Sequence, residues 1–517
     1  MQVHQYFDYH SRRFPENDCL IFQGKTYSYQ DMQTMSQQIA NGLLALGVKA
    51  DDRVAVLCEN CPEFLGLLMA CSRIGAVTVP LNYRLAPPET AFILEDSKAH
   101  ILLSPDEAMN PLLEAMAEST AKLQTVISCT TATNWQNWLA QQSAEPVKVD
   151  TYQQKGFLQL YTSGTTGKPK GVVLSHANIS SLFTKSLVSS DNKTHAGSRD
   201  LVCAPPFHIG GSGTLLLPIL AGGSAVLHKT FDPFAVVNDL EKYKIESSFI
   251  VPAMILAIIS MVPDLDKRDF SSLKQIMYGA SPISPALLEQ AINIFGCDFY
   301  QAYGMTETTG TIVVLMPEDH RNALKGRPEL LESAGRPQAG VEVKVVDSEG
   351  NILPPGQIGE LYVRSESTML GYYNRPDANA ETFEDGWLKT GDSAEINEEG
   401  YIFLRDRIKD MIVSGAENIY PIEIENALCA HPAIADLAVI GIPDEKFGET
   451  PLACLVLKPG QSIETEEMIE FLRGKLAGYK IPRQLKIYDV LPRNPSGKIL
   501  KKDLRAPFWE GRERQIN

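Results

Sequence analysis

Residues Tyr161 to Val172 read YTSGTTGKPKGV and follow directly on the apolar run Phe157 to Leu160. The string holds four small hydroxyl residues (Thr162, Ser163, Thr165, Thr166), glycines at Gly164, Gly167 and Gly171, and the lysines Lys168 and Lys170. A buried strand that runs into such a loop suits a bound phosphate. Glycines let backbone N–H groups approach anionic oxygens closely, the hydroxyls add donors, and the lysines offset negative charge. The string is not a Walker A loop. That pattern places a glycine where Thr162 stands and a serine or threonine after the Gly-Lys pair, where Pro169 stands. A surface turn would use the same small residues but has no need of two lysines.

Outward from the loop, short apolar runs (Val54 to Leu57, Ile101 to Leu103, Phe249 to Val251) read as buried strands. Helical segments such as Glu63 to Arg73 and Pro285 to Phe295 separate them, which predicts layered α/β architecture. Between Val341 and Leu404 the pattern changes to alternating strands, VEVKVVD, GELYVRS and GYIFLRD, with a turn at Ser348-Glu349-Gly350-Asn351. That stretch predicts a β-barrel subdomain. After Asp406 come EIENALCAHP, DLAVIGIPD, LACLVLKPG and TEEMIEFLRGKLAG, enough for a separate small α/β module.

The chain has 517 residues, more than the roughly 250–300 that one core sustains, so at least two domains are expected. Its 44% hydrophobic and 21% charged content excludes disordered, collagenous and coiled-coil classes. A formal net charge of −16 has the wrong sign for tracking a nucleic-acid backbone, so an anionic ligand must be held locally. The Leu201 to His228 stretch lacks charged residues, but three prolines and five glycines interrupt it, which favours buried strands and helices over a membrane span. Nine scattered cysteines, with only Cys58 and Cys61 forming a CxxC, suggest a reduced, cytoplasmic protein. The N-terminus lacks the basic start and apolar run of a signal peptide.

Further motifs follow in order: Tyr303 to Thr308 (YGMTET), Trp387 to Asp392 (WLKTGD), Asp406 to Glu425 (DRIKDMIVSGAENIYPIEIE) and Pro492 to Leu500 (PRNPSGKIL). Together with YTSGTTGKPKG they resemble the signatures of the adenylate-forming superfamily, which includes acyl-CoA synthetases, adenylation domains of peptide synthetases and luciferases. The resemblance extends over nearly the whole chain and is nearest to fatty-acyl and aryl-CoA synthetases. It implies a large N-terminal domain (1–408) of two α/β layers plus the β-barrel subdomain, and a small mobile C-terminal catalytic domain (409–517).

By that resemblance, Tyr303 stacks on adenine, Thr306 meets the α-phosphate and Glu307 holds Mg²⁺. A hard dication prefers one or two carboxylates with phosphate oxygens and water, which agrees with that role for Glu307. Gly279, Ala280 and Ser281 flank the other face of adenine, although a plain turn explains those three residues nearly as well. Asp392 and Arg407 contact the ribose hydroxyls. Phe207, His208, Gly210, Gly211, Ala302 and Gly304 line the acyl pocket, with Gly213 nearby. Lys498 matches the catalytic lysine, whose cation stabilises charge built up when a carboxylate attacks the α-phosphate.

The implied reaction has two halves. Carboxylate and MgATP give acyl-adenylate and pyrophosphate; the thiol of coenzyme A then gives thioester and AMP. Lys409 is the expected hinge, and Ser414 to Asn418 the pantetheine tunnel. Two departures stand out: Ala416 and Ser365 occupy positions where relatives carry glycine. His208 stands where amino-acid-activating relatives place Asp, and PPFHIGG offers no counter-charge for a substrate ammonium. A tryptophan closes the acyl pocket of acetate-activating relatives at the position of Gly304, so glycine there predicts a longer acid. Three readings remain open: a medium-to-long-chain fatty acid, an aryl acid, or a non-catalytic adenylate-binding module. Absence of GxSxG and HExxH leaves serine-hydrolase and zincin readings without support. The spacing around Lys498 also resembles a site for protein acyltransferases, and peripheral membrane contact is compatible with the chain.

Overall fold

The computed structural model describes residues 1–129, 134–147, 149, 155–162, 169–188, 194–280, 283, 285–407, 410–414, 417–444, 447–473, 475–476, 478–493 and 499–510. Two large sheets form the N-terminal part. One runs, edge to edge, β15 (Arg336–Pro337), β14 (Gly310–Leu315), β13 (Asp298–Met305), β12 (Gln275–Gly279), β11 (Ser247–Phe249), β9 (Arg199–Val202), β10 (Ser224–Leu227), β1 (Asp18–Phe22) and β2 (Lys25–Ser28). The other runs β18 (Gly371–Tyr372), β8 (Lys170–Ser175), β7 (Gly156–Thr162), β4 (Val77–Pro80), β3 (Arg53–Val56), β5 (Ile101–Ser104) and β6 (Thr125–Ser128). Ladders from β13 to β1 and from β7 to β6 are parallel, with antiparallel strands only at the edges. Such sheets must be covered on both faces, which explains apolar runs such as Val54–Val56 in β3 and Ile101–Leu103 in β5.

The helix Pro62–Ile74 is largely apolar and almost wholly buried, with its buried Arg73 paired to Asp8. Its Phe64, Leu65 and Leu68 share one core cluster with Val54 and Leu158 of one sheet and Leu20 and Ala225 of the other. Strands expected at Val54 and Ile101 and the helix expected at Pro285–Phe295 stand within a residue or two of their sequence bounds. The expected strand Phe249 to Val251 is displaced: β11 ends at Phe249, and Pro252 starts the helix Pro252–Met261. Proline at the first helical position suits a helix start and holds the residue before it extended, here Val251 at φ −70° and ψ 154°.

The β subdomain comprises β16 (Val341–Val346), β17 (Gly359–Ser365), β20 (Trp387–Ile396), β19 (Phe383–Glu384) and β21 (Ile402–Arg407), all antiparallel. Among the described residues its ladders form an open sheet rather than a closed ring. Strand β20 is long enough to pair β19 at one end and β21 at the other. The C-terminal part has its own sheet: β23 (Glu417–Ile419), β22 (Ile412–Ser414), β25 (Gly448–Leu457) and β24 (Ile434–Asp444), with β26 (Gln484–Ile487) on β25. Its two core clusters draw only on residues from Ile412 onward, and every other cluster on residues up to Leu404. The chain is therefore a large N-terminal and a small C-terminal domain with separate interiors. The uncharged Leu201 to His228 stretch resolves into β9, the helix Ile209–Ala221 and β10. Among the described residues, no helix is long and apolar enough to cross a membrane.

Candidate active site

Thr162 ends β7 and Lys170 begins β8, and the two are register partners in an antiparallel hairpin. The expected phosphate loop joins these two paired strands, and Ser163, Gly164, Thr165, Thr166, Gly167 and Lys168 lie outside the described residues. At its base the Thr162 hydroxyl donates to Glu307 Oε1 at 3.3 Å. The Tyr372 hydroxyl donates to the same oxygen at 2.9 Å, and the Lys170 ammonium sits 4.9 Å over the Tyr372 ring. Both hydrogen bonds fall on Oε1 of a buried carboxylate, which leaves Oε2 for another ligand. The residues after β13 place Glu307 here through a short 3-10 turn, Thr306–Thr308, and its carbonyl accepts from Met369 N at 2.8 Å. Among the described residues no group of three or more His, Cys, Asp or Glu could hold a metal. One carboxylate beside the expected phosphate loop fits Mg²⁺, which is commonly completed by phosphate oxygens and water.

Tyr303, near the end of β13, donates from its hydroxyl to Asp392 Oδ2 at 2.6 Å. Asp392 is itself the register partner of Arg407 across β20 and β21. The expected adenine and ribose contacts therefore share one locality, at the carboxyl ends of β12 and β13, where open α/β sheets bind ligands. Gly279 and Ala302 are register partners there, and a Cβ on Gly279 would stand 2.1 Å from the Ala302 carbonyl oxygen. Only glycine allows that approach. The next residue, Ala280, is exposed and holds φ +66°, a left-handed conformation that an L-residue adopts at a cost. Ser281, Lys409, Ala416 and Lys498 lie outside the described residues.

His208 precedes the helix Ile209–Ala221, and its ring packs edge-on to Phe207 with centroids 4.6 Å apart. Phe207 in turn meets Tyr83 at 5.1 Å. The His208 Nε2 is buried without a hydrogen-bond partner among the described residues. Burial, aided by the Arg84 charge, pushes its pKa down to about 4, so the imidazole is neutral near pH 7. A neutral ring with one unmet nitrogen can orient or exchange a proton with a ligand.

Gly304 does not open a wall. A Cβ on it would lie 1.8 Å from the Gly310 carbonyl oxygen, because β13 crosses close to β14 at a bulge. Gly211 is equally constrained, its Cβ direction meeting the Pro205 carbonyl oxygen at 1.9 Å. Gly210 faces the Phe249 ring at 3.1 Å, whereas Gly213 has nothing nearer than 3.7 Å. Ser365 does not have the positive φ that a glycine position would suggest. Its hydroxyl lies 3.1 Å from that of Ser367, which accepts from the buried Lys185 ammonium at 2.6 Å. The CxxC cysteines Cys58 and Cys61 are both buried and free.

Tyr372 carries no signal in the sequence alone. It lies in GYYNRP, a run with no distinctive spacing, and only the pairing of β18 with β8 brings it to the loop.

Comparison with known proteins agrees with this geometry. The family model described as AMP-binding enzyme matches residues 7–373, and that of the AMP-binding enzyme C-terminal domain matches 423–498. The chain is 38% identical to the fatty acid–acyl-carrier-protein ligase ScoC of Streptomyces coeruleorubidus over 98% of this chain and 97% of that protein. It is 37% identical to a feruloyl-CoA synthase of Amycolatopsis sp over 96% of this chain and 97% of that protein. The structure of O-succinylbenzoate coenzyme A synthetase from Bacillus subtilis, in complex with ATP and magnesium ion, superposes with a TM-score of 0.84 at 32% identity, covering 96% of this chain and 98% of that one. The chain belongs to the AMP-binding enzymes of the adenylate-forming superfamily.

Proposed function

We propose that the chain is an AMP-forming acid–thiol ligase that activates a medium-to-long-chain fatty acid with MgATP and passes the acyl group to coenzyme A. In the first half, a carboxylate oxygen attacks the α-phosphorus and pyrophosphate leaves. In the second, the thiol sulfur attacks the acyl carbon, AMP leaves and the thiol proton is released. The observation that carries this reading is the convergence of Thr162, Lys170, Tyr372 and Glu307 at the base of the loop. Mg²⁺ there would neutralise phosphate charge. Thr306 contacts the α-phosphate, Tyr303 and Asp392 hold the nucleoside, and His208 faces the acyl group as it meets the thiol. Lys498 supplies the cation of the first half only. The boundary between domains falls at residues 408 and 409, with Lys409 as pivot between the two half-reactions. Acylation of Lys498 plays no part in this reading.

The name of the relative ScoC supports a fatty acid, and that of the feruloyl-CoA synthase keeps an aryl acid as the second reading. AMP release, assayed with coenzyme A and separately with an acyl-carrier-protein thiol over acetate to palmitate plus aryl acids, tests both. Lys498→Ala should abolish pyrophosphate exchange while supplied acyl-adenylate still yields thioester. Exchange retained in that variant, or no acid-dependent AMP release from the wild type, overturns the reading.

A further inference from the structure

Between the larger sheet and the helices His176–Val188 and Ile209–Ala221 lies a cavity of about 60 Å³. Its lining includes Phe249 and Met277, and the Phe249 ring is the group that Gly210 faces at 3.1 Å. The cavity therefore lies one side chain, the Phe249 ring, beyond the expected acyl site, along the face of β11 and β12. Its other end is polar. Asp200, Ser247 and Gln275 are register neighbours across β9, β11 and β12, at the amino ends of strands whose carboxyl ends face the nucleotide. Gln275, Met277 and Gly279 share one face of β12 by the two-residue period, and Gln275 to Gly279 spans roughly 13 Å. The polar end thus lies one acyl chain's length from the adenine side of the strand.

That end is short of donors. Asp200 Oδ1, Gln275 Oε1 and Gln338 Oε1 are buried acceptors with no hydrogen-bond partner among the described residues. Asp200 is only 8% exposed, and Thr194 satisfies its other oxygen at 3.1 Å. Burial pushes the Asp200 carboxyl up to about 7, against the lowering effect of Thr194 and Ser198. A buried acceptor left unmet carries a desolvation penalty, and a fully apolar end would hold a hydrocarbon tail without it. The Thr214 hydroxyl, also in the lining, is turned to its own helix and donates to the Gly210 carbonyl at 2.5 Å.

We propose that this cavity receives the far end of the substrate acid, and that this end carries a hydroxyl or amino group that donates hydrogen bonds to Asp200 and Gln275. The proposal rests on the ligase reading above and narrows its substrate to acids with a donor at the end remote from the carboxylate. It also gives each lone acceptor a function: a site built to accept a hydrogen bond discriminates strongly against an analogue that lacks the donor.

The test compares matched acids in the thiol-dependent AMP-release assay: each fatty acid from hexanoate to tetradecanoate with its ω-hydroxy and ω-amino counterparts, and cinnamate with para-hydroxycinnamate. At the matching length, the donor-bearing acid should have a kcat/KM at least about tenfold above its methyl-terminated partner. Gln275→Met and, separately, Asp200→Leu should erase or reverse that ratio while kcat/KM for the methyl-terminated acid holds or rises. Gln275→Met replaces an unmet acceptor with an apolar group, so its thermal unfolding should show no loss of stability, whereas Asp200→Leu also removes the acceptor of the Thr194 hydroxyl and should cost about 1 kcal/mol. Preference for methyl-terminated acids at every length would overturn the proposal and leave the ligase reading intact. So would variants that slow both members of each pair equally, since the cavity would then hold water alone. Failure of every acid to release AMP would remove the ligase reading and this proposal with it.

Discussion

Glu307 is a carboxylate fixed by its neighbours, and on the reading proposed above it is the residue that holds Mg²⁺. Tyr372 and Thr162 both donate to Oε1, so the side chain is oriented while Oε2 stays available. Glu307→Gln should cut pyrophosphate exchange at least about tenfold and raise the Mg²⁺ concentration needed for half-maximal rate, because an amide is a poorer ligand for a hard dication. An unchanged magnesium titration would refute the role. Tyr372→Phe keeps the ring beneath Lys170 and removes one hydrogen bond to a charged group, a loss of about 1–3 kcal/mol in stability with a smaller change in magnesium dependence. Gly304 makes the opposite point, since its missing side chain serves the backbone rather than a pocket. With the Gly310 oxygen 1.8 Å from a Cβ, even Gly304→Ala must push β13 from β14, and a stability loss of more than about 2 kcal/mol is expected in denaturant unfolding. Gly304→Trp is therefore a folding lesion and reports nothing about chain length.

At the scale of elements, the helix Ile209–Ala221 separates two kinds of glycine that look alike in GGSG. Gly211→Ala drives a Cβ into the Pro205 carbonyl, whereas Gly213→Ala places one at ordinary van der Waals distance from Ile209 and Leu182. The first should lower the thermal midpoint; the second should raise stability by up to about 1 kcal/mol, the usual gain of alanine over glycine inside a helix. Melting both variants side by side checks the pair, and equal effects would contradict the close approach at Gly211. Apolar periodicity made β3, β5 and the helix Pro285–Phe295 legible, because burial on both faces leaves a continuous hydrophobic run. Local spacing cannot report which strands become neighbours. That is why Tyr372 was invisible, why the row of Asp200, Ser247 and Gln275 across three strands was not foreseen, and why Gly304 was read as open space. Motif order located Glu307, Tyr303 and Asp392, but only the packing shows that Tyr303 and Asp392 touch.

Across the whole molecule, stability toward acid depends on histidines that the fold holds neutral. His176 and His320 are almost fully buried, and burial pushes them down to about 3 and about 4. His320 sits between two fixed partners: its Nδ1 lies 2.8 Å from the Met316 carbonyl, so it carries the proton, and Nε2 accepts from the Tyr278 hydroxyl at 2.9 Å. On protonation Nε2 becomes a donor to the Tyr278 oxygen, whose hydroxyl can turn to Gln301 Oε1 at 3.1 Å, so the penalty is that of an imidazolium charge in a site that cannot solvate it. The folded pKa lies below the unfolded value near 6.5, so the unfolded chain binds more protons between those values. Stability from these groups is therefore complete above about pH 6.5 and falls as the pH drops toward 4, with a slope of up to about 1.4 kcal/mol per pH unit for each histidine. The thermal midpoint of the N-terminal domain should fall progressively between pH 6.5 and pH 4.5. Carboxylate protonation contributes to any such fall, so the discriminating measurement is the difference between wild type and His320→Gln. The amide keeps an acceptor for Tyr278 but cannot take up a proton. That variant should be less stable at pH 7.5, where the imidazole is neutral in both states, and should lose less on acidification, so the two curves converge. Parallel curves over the whole range would show that His320 does not titrate on unfolding and that the acid sensitivity lies elsewhere.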